Sequence, residues 1–168
     1  LLHTLDVHEN QLTSLPASLI QLRKLSTLDT HRNRLGALPE RLGELPALTS
    51  LDISANLLRE LPDSIGHLKT LITLDLHANQ LVALCDSIGQ LACLQKLHAS
   101  ANRLVSLPSI GGMVSLRHLD ISENILAELP TMTTETALSL RELLWKGNPL
   151  QRPPVSVANQ VSDELEAA

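Results

Sequence analysis

Leu48-x-x-Leu51-x-Ile53-x-x-Asn56-x-Leu58-x-x-Leu61-Pro62-x-x-Ile65-x-x-Leu68 is one unit of a pattern that recurs along most of the chain. One turn earlier the same slots hold Leu25, Leu28, Thr30, Asn33, Leu35, Leu38, Pro39, Leu42 and Leu45, and one turn later Leu71, Leu74, Leu76, Asn79, Leu81, Leu84, Ile88 and Leu91. The asparagines set the period: Asn10, Asn33, Asn56, Asn79, Asn102, Asn124 and Asn148 follow one another at intervals of 23, 23, 23, 23, 22 and 24 residues. Self-similarity at a fixed period of this size is the mark of a solenoid, in which each unit buries its apolar face only against its neighbours.

The two halves of the unit read differently. In the first, Leu51 and Ile53 alternate with Asp52 and Ser54 as a strand does, so one pair faces a core and the other faces solvent. A lone strand cannot bury that face. Strands of successive units must lie side by side, about 4.8 Å apart, as a parallel sheet. In the second half, apolar residues three or four apart suit a short helix or 3-10 turn on the opposite side. Pro16, Pro39, Pro62, Pro108 or Pro130 would open that segment, where the missing N–H is least costly. A tightly packed strand side and a looser helical side predict an arc with the sheet on its concave surface.

On the Leu, Asn and Leu-Pro positions quoted above, the chain resembles the leucine-rich repeat family, in particular its intracellular class of about 23 residues per repeat. The resemblance covers roughly residues 2 to 154. It implies an α/β solenoid, a curved horseshoe with a parallel β-sheet on the concave face and short helical or 3-10 segments on the convex face. It also implies that each asparagine satisfies backbone groups in the turn after the strand, since a buried polar residue at a fixed slot needs such partners. Residues 1–154 then form one domain of about seven repeats. That domain opens on Leu1-Leu2 without a cap, the look of a trimmed N-terminus. Residues 155–168 form a C-terminal cap or tail, with Val157, Val161 and Leu165 spaced for one amphipathic helix. The closing run Trp145-x-x-Asn148-Pro149-Leu150-x-x-Pro153-Pro154 resembles the last repeat of the intracellular class, with Trp145 facing inward as a lid on the final rung.

Composition narrows the function. The 168 residues are 43% apolar with a single aromatic, Trp145, so leucine builds the core. A net charge of −5 argues against nucleic acid or an anionic membrane as the main partner. No apolar stretch approaches membrane-spanning length. Cys85 and Cys93 fall short of the four-cysteine caps of extracellular relatives, so the reading is two free thiols in a reducing, cytoplasmic setting. Catalytic motifs are missing from the text: there is no glycine-rich phosphate loop, Gly-x-Ser-x-Gly elbow or Cys-x-x-Cys.

Function is expected on the concave face, whose residues follow from the period. The slot between the two core residues of each strand holds Asp6, Asp29, Asp52, Asp75, His98 and Asp120, and two places on come His8, His31, Ser54, His77, Ser100 and Ser122. Stacked acids repel, and protonated histidines or a basic segment of a protein partner would relieve them. Ala55, Ala78 and Ala101 beside them leave room for a bulky partner group. The pairs Asp6/His8, Asp29/His31 and Asp75/His77 invite a metal reading. Zinc needs three or four converging ligands, however, and a flat ladder is expected to spread its groups along parallel lines, so no metal or other cofactor is assigned. The expected role is a non-catalytic protein-binding scaffold or adaptor in signalling, resembling the repeats of scribble-type polarity scaffolds and Ras-pathway adaptors. The alternatives are the recognition or regulatory segment of a larger signalling enzyme, of the Roco GTPase-kinase or adenylyl cyclase type, and an extracellular receptor ectodomain. Two repeats break the period, one at Gly111-Gly112 and one at Thr131 to Thr136. They read as tolerated drift on the convex side, and the functional alternative is a secondary contact site with the threonines as candidates for phosphorylation.

Overall fold

The computed structural model describes residues 1–151; the expected cap over 155–168 and the pair Pro153-Pro154 lie outside the described residues. Seven strands, β1 (Thr4–Asp6), β2 (Thr27–Asp29), β3 (Ser50–Asp52), β4 (Thr73–Asp75), β5 (Lys96–His98), β6 (His118–Asp120) and β7 (Glu142–Leu144), make one open parallel sheet in chain order. The register follows the repeat without a slip: Leu5, Leu28, Leu51, Leu74, Leu97, Leu119 and Leu143 pair in one row, and the between-core slots pair in the next. Each strand is short, yet pairing runs past its end. The Ile53 N–H donates to Asp75 O at 3.0 Å and the Ala55 N–H to His77 O at 2.8 Å.

In the middle repeats the inward residues of both halves are removed from solvent, while at the two ends Leu5, Leu15 and Leu143 are only partly buried. Leu48, Leu51, Ile53, Leu58, Ile65 and Leu71 are 0% exposed, and they join one continuous core with the same slots of neighbouring repeats. Thr30, which replaces an aliphatic residue in this row, is equally buried, and its hydroxyl donates to Asp52 O at 3.3 Å. Across the core lie 3-10 turns at Ala17–Gln21, Leu42–Glu44, Asp63–His67 and Asp86–Gln90. Pro16 and Pro62 stand at the N-terminal boundary of theirs, and Cys85 fills that place in the fourth. Pro39 lies two residues before the boundary residue of its turn, and the segment after Pro108 has no helix. Cys85 and Cys93 are free, the latter exposed.

The asparagine slots carry the connections between repeats. Asn56 accepts the Leu35 N–H at 2.9 Å and donates to Thr30 O at 3.0 Å, both in the preceding repeat, and to Ile53 O at 3.1 Å in its own. Asn33, Asn79, Asn102 and Asn124 repeat the scheme. Immediately before these asparagines the chain takes a left-handed bend. Glu9, Arg32, Ala55, Ala78, Ala101 and Glu123 all have φ between 51° and 53°, and Gly147 has 79°. Side chains pay roughly 1–2 kcal/mol for that conformation, so the asparagine bonds must hold it in place. The alanines are therefore part of a strained turn as well as a smooth edge.

The irregular repeats dock on each other through Thr133 and Thr136, while Thr131, Thr133 and Thr134 are exposed. The extra residue is absorbed into a helix, α1 (Thr134–Ser139), whose N-cap is Thr133. The hydroxyls of Thr133 and Thr136 both donate to Gly111 O, at 3.3 and 3.1 Å, and Thr136 is fully buried. A kinase could reach Thr136 only by unfolding that helix. Trp145, expected as a lid, packs partly buried against the core.

Candidate functional site

The sheet register places the expected acids in one line: Asp6 beside Asp29, Asp29 beside Asp52, Asp52 beside Asp75, and then His98 and Asp120. Each carboxylate is fixed by its own rung. Asp52 Oδ1 accepts the N–H and the hydroxyl of Ser54 at 2.9 and 2.7 Å, and Asp120 Oδ1 accepts those of Ser122 at 3.0 and 2.6 Å. Asp29 Oδ1 takes the His31 N–H and Nδ1 at 3.0 and 2.7 Å, and Asp6 pairs with His8 in the same way. In the middle, Asp75 Oδ1 accepts only the His77 N–H, at 2.9 Å, because the His77 ring turns away to bond Ser100 Oγ at 3.0 Å. The Asp-x-His and Asp-x-Ser spacing thus has a local meaning: the residue two places on supplies a backbone donor to the acid and, except at His77, its side chain as well.

The charges respond accordingly. The hydrogen bond from His8 holds Asp6 below its ordinary carboxylate range, and the same bond from Asp6 raises His8. Arg32 does likewise to Glu9 at the edge of the face. Burial pushes Asp120 up, but the hydrogen bonds from Ser122 and Ser100 outweigh it and the net shift is downward. Asp75 is the exception. Burial and then the neighbouring charge of Asp52 raise it, and the single backbone bond and nearby histidines do not compensate.

A prediction follows from Asp75. A carboxyl whose folded pKa stands above the unfolded one stabilises the fold when protonated, and that contribution is lost as pH rises through the folded value. Asp75→Asn keeps an oxygen for the His77 N–H and removes the charge. Its melting temperature is expected to exceed that of the unaltered chain at neutral pH, with the gap closing as pH falls through the raised pKa. A lower melting temperature at neutral pH would refute the assignment.

Two features of the face are invisible in the repeat text. The rings of His8 and His31 stack with centroids 4.5 Å apart and planes 7° from parallel. One ligand atom from each of His8, Asp29 and His31 also falls within 4.8 Å of the others. The expectation that parallel rungs keep such groups apart overlooks that the rung spacing itself is only about 4.8 Å. The other histidines do not repeat this arrangement, since His77 and His98 sit in different slots and His118 bonds Glu142 Oε2 at 3.0 Å.

A family profile described as "Leucine-rich repeat region" matches residues 40–146, and a second, "Leucine rich repeat", matches residues 1–58. The chain belongs to the leucine-rich repeat family. Among solved structures of leucine-rich repeats, the ectodomain of the plant membrane receptor kinase GASSHO1/SCHENGEN3 from Arabidopsis thaliana, in complex with CASPARIAN STRIP INTEGRITY FACTOR 2, is 33% identical with a TM-score of 0.83, over 96% of this chain and 20% of that one. A leucine-rich repeat protein of Leptospira interrogans is 31% identical with a TM-score of 0.67, over 94% of this chain and 46% of its own. YopM from Yersinia enterocolitica is 30% identical with a TM-score of 0.71, over 88% of this chain and 29% of its own. The chain thus spans less than half the length of these three leucine-rich repeat neighbours. No curated protein matches it. Leucine-rich repeat domains are in general protein-binding modules and typically non-catalytic.

Proposed function

We propose that the chain is an intracellular, non-catalytic scaffold or adaptor in signalling, of the 23-residue class, that holds a basic segment of a protein partner against its concave face. The observation that carries this reading is the row Asp29, Asp52 and Asp75: three acids on adjacent rungs, each held through one oxygen by its own rung. Acids about 4.8 Å apart repel one another, and a cationic segment laid across them relieves that repulsion. Burial chiefly, and the Asp52 charge in smaller part, raise the pKa of Asp75, which agrees with that repulsion.

The test is capture of partners by the unaltered protein beside a triple variant with Asp29, Asp52 and Asp75 changed to Ala. Surface charge pairs contribute up to about 1 kcal/mol each, so the triple change is expected to weaken the captured complex between about tenfold and a hundredfold. Affinity should also fall as salt is raised. Equal capture by the variant, or an affinity indifferent to salt, would remove the acidic row as the docking site.

The similarity to a receptor-kinase ectodomain favours one second reading, in which this chain is the recognition segment of a larger signalling protein. The complete gene separates the two readings: a signal peptide, a kinase domain or a GTPase domain supports the second.

A further inference from the structure

Of the groups on the concave face, His8, His31 and Asp29 form the one cluster among the described residues in which three possible metal-ligand atoms lie within 4.8 Å of one another. The convergence comes from the fold. β1 and β2 pair with Asp6 opposite Asp29, which sets His8 opposite His31 two residues further on, and the two imidazoles stack. Asp29 is anchored by its bonds to the His31 N–H and Nδ1, and His8 is bonded to Asp6. The side chains of His31 and Asp29 are 25% exposed and that of His8 41%, so the cluster is open to ions from solvent and partly shielded beneath.

We propose that these three residues bind one divalent transition-metal ion of the zinc type, with a fourth position left to water or to Asp6. Two imidazoles and one carboxylate match zinc and not magnesium or calcium, which prefer oxygen ligands throughout. Tetrahedral bonds of 2.0–2.1 Å set ligand atoms about 3.3 Å apart, so donors now within 4.8 Å must close in. Rotation about χ2, a broad torsion in histidine, would bring that movement by unstacking the rings and exchanging the Nδ1 bonds to Asp6 and Asp29 for the metal. Only the first two rungs can do this, because His77 stands between Ser54 and Ser100 in its column.

The experiment is a calorimetric titration of the tag-free, chelator-stripped chain with zinc chloride. Saturable binding near one equivalent is expected. Losing even a residue that merely orients a ligand costs a metal site about 10–100-fold, so His8→Gln, His31→Gln and Asp29→Asn should each weaken binding at least about tenfold. His77→Gln should leave it unchanged. A Cys93→Ser chain should also bind as before; loss there would assign the zinc to the exposed thiol and overturn the proposal. Absence of saturable binding, or binding insensitive to all three ligand changes, would overturn it too. A measurement free of variants guards against misfolding: zinc should protect His8 and His31, and not His77, from diethyl pyrocarbonate. Equal modification of all three with and without zinc would count as refutation.

Discussion

Gly43→Ala should destabilise the fold by about 3 kcal/mol, the upper part of the range for forced overpacking, and lower the melting temperature by roughly 6–12 °C. A methyl on Gly43 would lie 1.7 Å from Ser64 O and 2.5 Å from its carbonyl carbon, in the next repeat. The obstacle is backbone, so no side-chain rotation relieves it. Gly66 faces Ser87 O and Gly89 faces Ser109 O in the same way, at 2.3 and 2.5 Å. A column of glycines therefore lets the convex side close up, repeat on repeat, and the Gly43 N–H uses the approach to donate to Ser64 Oγ at 3.1 Å. Gly36, in the same repeat, has nothing within 4 Å of an added methyl. Gly36→Ala is expected to be neutral or to stabilise by up to about 1 kcal/mol through the unfolded chain. Thermal unfolding of the two variants side by side decides the matter, and equal melting temperatures would show that the convex contact carries no stability.

That glycine column marks where the sequence stops being readable. Strand positions, their parallel register and the inward row of Leu28, Leu51 and Leu74 follow from periodicity alone, because a period of two and a repeat of 23 leave one way to bury those residues. The acids of the concave row are legible for the same reason. Distances are not. Gly43 reads as a neutral spacer until Ser64 of the next repeat is known to approach it, and that approach is a tertiary contact with no local pattern. Likewise the text shows Asp-x-His at three rungs, but only the pairing of β1 with β2 reveals that the rings of His8 and His31 stack beside Asp29 while His77 turns to Ser100. The left-handed bend is hidden by its occupants. Ala55 and Ala78 carry no sign of positive φ, since glycine appears in that slot only at Gly147. The helix α1 was obscured by its threonines, which favour strands in isolation and are overruled by the Thr133 cap and the bonds to Gly111 O.

Asn56→Ala should be at least as damaging, at about 4 kcal/mol, and should change the character of unfolding as well as its midpoint. The substitution strands the buried Leu35 N–H, at about 1–3 kcal/mol, and removes one of the two asparagine donors on each of Thr30 O and Ile53 O, which keep Asn33 and Asn79, at about 0.5–1.5 kcal/mol per lost bond. It also releases Ala55 from the bend that the asparagine holds at φ 51°. Asn10 provides the comparison. It is exposed, and its side chain bonds only Val7 O and His8 O in its own rung, so Asn10→Ala should cost about 1 kcal/mol or less. The difference has a structural consequence. In a solenoid each repeat contacts only its neighbours, so stability is approximately a sum of repeats and interfaces, and weakening one interface can uncouple the units on either side. Asn56 is bonded to the repeat before its own, so its loss should let the rungs carrying β1 and β2 unfold ahead of the remainder. Urea unfolding then shows a smaller slope or two steps in Asn56→Ala and one unaltered step in Asn10→Ala. A single transition of unchanged slope and lowered midpoint would mean that the leucine core, and not the asparagine row, carries the cooperativity between repeats.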